Sequence, residues 1–188
     1  NTLFRVVIGT ALNLVFTITL SYGLSREGLK GRTFLTGFVF FTMLFSGGMI
    51  PTFILVKGVG LIDSRWAMVL PCLINNWNLL IMRNFFYGIP KSLEEAAVID
   101  GANDAQVLVK IVLPLSKASI ATIGLFYAVS HWNAWFDAML YINTTALLPM
   151  QNILRNIITA ASSIGDLGAE AYNSLDVVPP SQAIRAAT

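Results

Sequence analysis

Polar and aromatic residues that could hold a hydroxyl-rich ligand lie inside two otherwise apolar segments of the chain. Amide groups hydrogen bond to hydroxyls, and an indole ring can cover the apolar face of a sugar. The side chains selected as candidates for contact with a ligand are Asn76, Asn78, Trp132, Asn133 and Trp135. Three asparagines crowd around Trp77, so at least one should pack against a neighbouring helix. The alternative is an interfacial aromatic belt combined with hydrogen bonds between helices.

The residues that a catalytic or metal site needs are not grouped in this sequence. His131 is the only histidine and Cys72 the only cysteine, so neither a multi-histidine zinc site nor an internal disulfide is available. No phosphate-binding Gly-x-x-x-x-Gly-Lys-Ser/Thr loop occurs. Asp63, Asp137 and Asp166 fall at expected loop or span ends, which favours solvated roles. We therefore expect no catalytic residues, no metal, no cofactor and no ATP site in this chain.

Composition places the chain in a bilayer. It is 55% hydrophobic and 12% charged over 188 residues, with a mean hydropathy of +0.69. Its apolar runs approach the roughly 20 residues that a helix needs to cross a membrane. They predict an all-α, polytopic transmembrane bundle with spans at about 3–24, 34–56, 66–87 and 115–135. Gly47, Gly48 and Pro51 predict a kink or break in the second span.

The ends of the chain suggest a fragment of a longer protein. A final span is expected to start at about residue 180, so the fragment lacks its first span and most of its last. Arg5 is expected to reach the membrane interface from the end of its helix. The net charge of +2 is too small to indicate a nucleic acid partner.

The distribution of basic residues predicts the orientation in the membrane. Seven lie on one side of the predicted spans: Arg26, Lys30, Arg32, Arg83, Lys91, Lys110 and Lys117. The other five lie on the opposite side, where the aspartates also concentrate. The positive-inside bias puts the polar insert at residues 90–114 in the cytoplasm and the segment 137–178 outside.

The polar insert has the local signals of two short helices. Ser92 and Glu95 have the spacing of a capping box, and Gly101 suits the left-handed end of a first helix. Asn103 or Asp104 can cap a second helix. Leu93, Ala96, Ala97 and Asp100 share one side of the first helix at the helical repeat. A structured polar island between membrane spans suggests a partner that docks there, although a generic amphipathic loop on the headgroups is the common alternative.

A spaced signature runs through this insert. It consists of Glu95, Ala96, Ala97, Gly101, Ile111, Leu113 and Pro114. In identity and spacing this resembles the signature of binding-protein-dependent permease subunits of ATP-binding-cassette importers. The approach to the signature and the stretch around Trp132 are similar to the carbohydrate-uptake class, related to the smaller permease of the maltose system.

The resemblance implies a function and a set of partners. The insert is implied to be the coupling loop, with its helix at 93–103 seated on cytoplasmic ATPase subunits that bind the ATP. The implied contact residues are Leu93, Glu95, Ala96, Ala97, Asp100, Gly101, Ile111, Leu113 and Pro114. A second permease subunit, an external solute-binding protein and a sugar substrate are implied too, in a bacterial or archaeal inner membrane. An apolar stripe including Ile153 and Ile157 could contact the binding protein.

Alternatives to sugar import remain open from the sequence. The same fold serves importers of amino acids, peptides or other small solutes, and only the flanking resemblance favours sugar. A channel or a polytopic membrane enzyme belongs to a different class. A channel gives no reason for a capped two-helix island in the cytoplasm. A membrane enzyme would need a group of catalytic residues, and the sequence shows none.

Overall fold

A computed structural model describes the backbone of residues 1–174 and the side chains of residues 1–162. Within these residues the regular secondary structure is entirely helical, as the sequence predicts. We number the helices α1 to α9, and short 3₁₀ turns cover Arg65–Met68, Leu70–Cys72 and Thr145–Leu147. The helices are α1 Thr2–Ser25, α2 Arg32–Leu44, α3 Met49–Gly58, α4 Asn76–Tyr87, α5 Lys91–Ile99, α6 Asp104–Leu115, α7 Lys117–Asn133, α8 Phe136–Tyr141 and α9 Met150–Ser174.

Helix α1 packs into the protein along a stripe of polar and small residues. Every fourth position on this face is buried: Arg5, Gly9, Asn13, Thr17 and Ser21. The Nδ2 of Asn13 donates to the Cys72 carbonyl at 3.2 Å, and the Ser21 hydroxyl donates to the Leu79 carbonyl at 2.9 Å. Such side chains act between membrane helices because lipid offers polar groups no alternative partner. The apolar side chains of α1 lie mostly on its other faces.

The main apolar core joins α1, α4, α6 and α7. Its fully or nearly buried members are Tyr22, Met82, Phe86, Ile89, Val107, Val112, Ile123 and Tyr127. The rings of Tyr22 and Phe86 meet edge to face with centroids 6.4 Å apart, a favoured arrangement for aromatic pairs. This core fixes the insert to the ends of the membrane helices.

The break expected in the second span is present. Helices α2 and α3 differ in direction by 112°, and Gly48 between them has φ +87°. That backbone region penalises a residue with a Cβ, so glycine suits the turn. Pro51 falls in the first turn of α3, where its missing N–H costs no hydrogen bond.

The segments expected as the third and fourth spans are each preceded or interrupted by a break in the helix. The segment at 66–87, expected as the third span, is not one continuous helix, because two 3₁₀ turns come first and α4 begins only at Asn76. Pro71 cannot donate a backbone hydrogen bond, and the Asn75 side chain caps α4 by accepting from the Asn78 N–H at 3.1 Å. Helix α7, Lys117–Asn133, lies within the range expected for the fourth span at 115–135, and an 83° bend at Ser116 separates it from α6.

Only some of these helices meet the length and hydropathy expected of a membrane crossing. Among the described residues, α1 alone is a single helix long and apolar enough. The number of candidate membrane crossings rises to three if the pair α2 and α3 and the pair α6 and α7 each count as one bent span. The span expected to start near residue 180 lies outside the described residues.

The segment after α7 is folded onto the ends of α1 and α3. Phe53 on α3 stacks on Tyr141 of α8, with ring centroids 6.2 Å apart. The Asp63 carboxylate accepts hydrogen bonds from the Thr144 hydroxyl and from the N–H groups of Asn143 and Thr144. These bonds, the Thr144 hydroxyl foremost, lower the pKa of Asp63. The loop before the 3₁₀ turns is thereby tied to the loop after α8, and the helix α9 follows.

Gly9 offers a direct test of this packing. A Cβ added at Gly9 would lie 2.7 Å from Nε2 of His131, whose ring is buried. Gly9→Ala should therefore lower the free energy of unfolding by about 1–3 kcal/mol, the usual cost of overpacking. Thermal unfolding of the purified full-length protein measures the change.

Gly23→Ala is the matched control, because it lies in the same helix and nothing lies within 4 Å of an added Cβ. It should be neutral or slightly stabilising, since alanine favours helix over glycine. Equal stability of the two variants would contradict the close contact between α1 and His131.

Candidate functional site

A cavity of about 870 Å³ lies where the first part of α4 faces α1 and the last part of α7. We call it the amide cavity. Its polar wall includes Asn13, Asn75, Asn78, Ser130, His131 and Asn133, and its aromatic wall includes Trp77, Phe126, Trp135 and Phe136. A mixture of amides and rings suits a ligand with both hydroxyl groups and apolar faces.

An ionic cluster forms one end of the amide cavity. Arg5 and Asp137 make a two-pronged ion pair, in which Nη1 donates to Oδ1 and Nη2 donates to Oδ2 of the carboxylate. Arg5 also donates to the Ala134 carbonyl at 3.2 Å and, through Nε, to Nδ1 of His131 at 3.4 Å. Its side chain is 2% exposed, and that of Asp137 is 19% exposed. A buried cation needs such partners because removal from water is costly.

Hydrogen bonds hold the other walls of the cavity in place. The hydroxyls of Tyr127 and Thr17 lie 2.8 Å apart, which joins α7 to α1. The Tyr127 oxygen also accepts from the Asn75 N–H at 3.3 Å, just before α4 begins. The Oδ1 atom of Asn13 is buried and has no hydrogen-bond partner within the described residues. That atom is also closed off from solvent, so a ligand hydroxyl would reach it only if neighbouring side chains moved.

The second feature is the segment 91–115, which we call the coupling segment after its expected role. It consists of α5, a glycine turn and α6. Gly101 has φ +83°. The Ala102 N–H donates to the Ala97 carbonyl at 2.9 Å, and the Gly101 N–H donates to the Val98 carbonyl at 3.0 Å. This pair of bonds is a Schellman motif, which ends a helix with a residue in the left-handed conformation.

Capping of the coupling segment differs in part from the expectation. Asn103 caps α6 in a reciprocal capping box with Gln106, through bonds of 2.8 and 3.0 Å. The capping box expected for Ser92 and Glu95 does not form. Helix α5 begins at Lys91 directly after Pro90, so Ser92 already lies inside the first turn, too late to act as a cap.

Charged and aromatic side chains fasten the coupling segment to α1. Arg26 forms an ion pair with Glu94 of α5, and its guanidinium lies 4.2 Å from the centroid of the Tyr22 ring. The Tyr22 hydroxyl donates to the Asp104 carbonyl at the start of α6, at 3.1 Å. Lys91 pairs with Glu27 on the surface, and its hydrogen bond lowers the pKa of that carboxyl.

The amide cavity and the coupling segment are connected by three helices. Helix α1 contributes Arg5 to the cavity and, near its other end, contacts the coupling segment through Tyr22. Helix α4 contributes Asn78 to the cavity, and Phe86 near its end packs against the core that includes Val107. Helix α7 continues the coupling segment through Ser116 and ends at the cavity. A displacement of the coupling segment therefore has three direct structural connections to the cavity wall.

Comparison with known proteins identifies the family. Residues 13–168 match the model of the family described as binding-protein-dependent transport system inner membrane component. The chain belongs to this family.

Two curated relatives agree with this membership. The polygalacturonan/rhamnogalacturonan transport system permease protein YtcP of Bacillus subtilis is 52% identical over 185 residues, covering 98% of this chain and 64% of that protein. Protein LplC of the same organism is 48% identical, covering 98% of this chain and 62% of its own length. This chain thus spans less than two thirds of either relative.

A solved structure supports the fold. The crystal structure of a bacterial ABC transporter involved in the import of the acidic polysaccharide alginate contains a chain 40% identical to this one. The TM-score is 0.81, and the match covers 83% of this chain and 56% of that one. The helical permease fold inferred from the sequence is confirmed.

The expected ligand residues of this inner membrane component separate into two groups. Asn78, Asn133 and Trp135 line the amide cavity. Asn76 instead donates from Nδ2 to the Thr42 hydroxyl at 3.1 Å, which joins α4 to α2. Trp132 is exposed and outside the cavity. The expectation that at least one asparagine packs against a neighbouring helix is confirmed by Asn76.

The expected coupling residues also occupy different environments. Leu93, Glu95, Ala96, Asp100, Gly101 and Pro114 are exposed, whereas Ala97, Ile111 and Leu113 are partly buried. Ala96 is exposed, whereas the neighbouring Ala97 packs partly against the core and also lines a shallow groove on the surface. Ile111 lines a shallow groove with Asp100 and Gly101.

Sequence reasoning missed several residues that the fold brings to these sites. Arg5 was expected at the membrane interface and Asp137 in solvent, and both expectations are wrong because the two side chains pair beside the cavity. Val98 and Ile99, which are 57% and 85% exposed at the end of α5, were not selected. The four-residue spacing of Arg5, Gly9, Asn13, Thr17 and Ser21 in an apolar helix was the available signal for the buried face of α1.

Proposed function

We propose that this chain is part of a membrane permease that moves an oligosaccharide through the amide cavity into the cell. The observation that carries the proposal is the lining of the amide cavity, in which Asn78 and Asn133 lie with Trp135 in a family of transport components. Amides bind hydroxyls, and indole covers the apolar face of a pyranose ring. The sugar polymers named for YtcP and for the alginate transporter support this substrate class.

The coupling segment is the docking site for a separate ATPase subunit in this proposal. The segment presents exposed apolar side chains at Leu93, Val98 and Ile99, and an aqueous surface with such side chains favours a protein partner. Its attachment to α1 through Arg26 and Tyr22 lets a docked partner displace the membrane helices. ATP is bound by that partner, and rigid-body rocking against a second permease subunit gives alternating access.

The remaining topology follows from this assignment. The coupling segment faces the cytoplasm, and the start of α9 faces the outside of a bacterial or archaeal inner membrane. The residues Ile153, Leu154, Ile157 and Ile158 of α9 are exposed. We assign this stripe to the external solute-binding protein that the family description implies.

Uptake kinetics test the substrate assignment. In proteoliposomes containing the full-length transporter, Asn78→Ala and Asn133→Ala should each raise the KM for oligosaccharide uptake roughly two- to tenfold, the value of one lost hydrogen bond. The readout is uptake of labelled galacturonate oligomers, with labelled dipeptide and amino acid as competing substrates.

Asn76→Ala is the matched control, because its amide binds Thr42 and lies outside the cavity. It should leave the KM within twofold of the wild-type value. If the transporter takes up the dipeptide or the amino acid but no oligosaccharide, the proposed substrate class is wrong. The chain would then belong to an importer of peptides or amino acids with the same fold. An equal rise in KM from Asn76→Ala would remove the cavity assignment.

A further inference from the structure

Helix α9 reaches the wall of the amide cavity through Trp135. The Arg155 guanidinium lies over the indole ring, 3.4 Å from its centroid. Asn152, one turn earlier on the same face of α9, donates from Nδ2 to the Trp135 carbonyl at 2.9 Å. Residues three apart on a helix lie side by side, so α9 holds the ring and the backbone of Trp135 together.

The neighbours of Trp135 limit the ring faces that remain available. Phe136 meets the indole perpendicularly with centroids 5.6 Å apart, and Arg155 covers one face. Trp135 also lines the amide cavity. The face opposite Arg155 is therefore the one that can meet a ligand in the cavity.

We propose that Trp135 forms a stacking subsite for one pyranose ring and that Arg155 is its positioning residue. The proposal rests on the function proposed above and adds a residue that does not itself touch the sugar. A planar guanidinium stacks on an aromatic face, whereas an ammonium group acts as a hydrated point charge. Holding the indole in one orientation removes the cost of ordering it when the ligand binds.

Arg155→Lys separates stacking from charge, since both side chains are cationic. In the full-length transporter, the KM for uptake of galacturonate oligomers should rise roughly two- to fivefold, the value of an exposed cation–π contact. The maximal rate should stay unchanged, because the change affects binding alone. A fall in the maximal rate at constant KM would overturn the positioning role.

A double-mutant cycle tests whether Arg155 acts through Trp135. Trp135→Leu should raise the KM by itself, and adding Arg155→Lys to it should change the KM by less than about 1.5-fold, as expected when two residues share one interaction. If the two substitutions together raise the KM by the product of their separate effects, Arg155 acts independently of Trp135, and the proposal is overturned.

Arg65→Lys is the matched control for the chemistry of the substitution. The Arg65 guanidinium also lies over a ring, 5.6 Å from the centroid of Phe4, but neither residue lines the amide cavity. Arg65→Lys should leave the KM for oligosaccharide uptake unchanged. A rise equal to that of Arg155→Lys would assign the effect to general packing and would overturn the proposal.

Fluorine NMR tests the positioning without any sugar. In protein labelled with 5-fluorotryptophan, the resonance of Trp135 is identified by its loss in Trp135→Leu, and it should shift in Arg155→Lys but not in Arg65→Lys. An unchanged resonance would overturn the positioning role. Failure of sugar uptake by the wild-type transporter together with a shifted resonance would remove the proposed function and the stacking subsite while leaving the Arg155–Trp135 contact established.

Discussion

Asp137→Ala should lower the free energy of unfolding by about 3–5 kcal/mol. The substitution leaves the Arg5 guanidinium, whose side chain is 2% exposed, without its carboxylate partner, and an uncompensated buried charge is among the costliest single changes. The bonds from Arg5 to the Ala134 carbonyl and to His131 remain, but neither acceptor carries a negative charge. Thermal unfolding of the full-length transporter in detergent measures the loss.

Two further variants separate charge from packing at this pair. Asp137→Asn keeps an oxygen acceptor and should cost less than Asp137→Ala. The double change Arg5→Met with Asp137→Leu removes both charges and should recover much of the stability, because an apolar pair avoids the desolvation of two ions. A double variant less stable than Asp137→Ala would contradict the charge argument and assign the effect to shape.

Gly101→Asp should reduce transport at least about tenfold while the protein still inserts in the membrane. Gly101 has φ +83° and open space around an added Cβ, so the substitution costs about 1–2 kcal/mol of backbone strain without a clash. The new carboxylate would stand on the exposed surface of the coupling segment, where a partner's surface must approach. The expected signature is loss of substrate-stimulated ATP hydrolysis in proteoliposomes, as for a residue central to an interface.

Gly60→Asp controls for the strain. Gly60 has φ +75° and also open space around an added Cβ, but it lies in the loop after α3 and outside the coupling segment. This variant should retain substrate-stimulated hydrolysis. Wild-type transport in Gly101→Asp would refute the coupling role, and equal losses in both variants would assign the defect to folding.

Local sequence signals predicted the structure well where the signal and its effect are neighbours in the chain. Gly48 and Pro51 predicted the break between α2 and α3, and Gly101 predicted the turn that separates α5 from α6. Each depends on the backbone freedom of one residue, which does not change with the surroundings. The capping box of Ser92 failed because Pro90 started the helix earlier, a competition between two local signals.

Spans were harder to predict, because hydropathy measures the run of apolar residues and not the continuity of a helix. The stretch at 66–87 is apolar enough to suggest one helix, yet α4 begins at Asn76. The hydrogen bond from the Asn75 N–H to the Tyr127 hydroxyl of α7 contributes to that start. A partner 52 residues away leaves no mark in a local window.

The sequence by itself determined the helical class, the spaced signature of the coupling segment and hence the family. Only the tertiary structure decided which polar residues share a site. It joined Arg5 to Asp137 across 132 residues, directed Asn76 to Thr42 and Asn78 to the amide cavity, and brought Arg155 onto Trp135. The physical reason is that backbone preferences and hydropathy are properties of short segments. The pairing of buried charges, amides and rings depends instead on which helix faces the packing brings together.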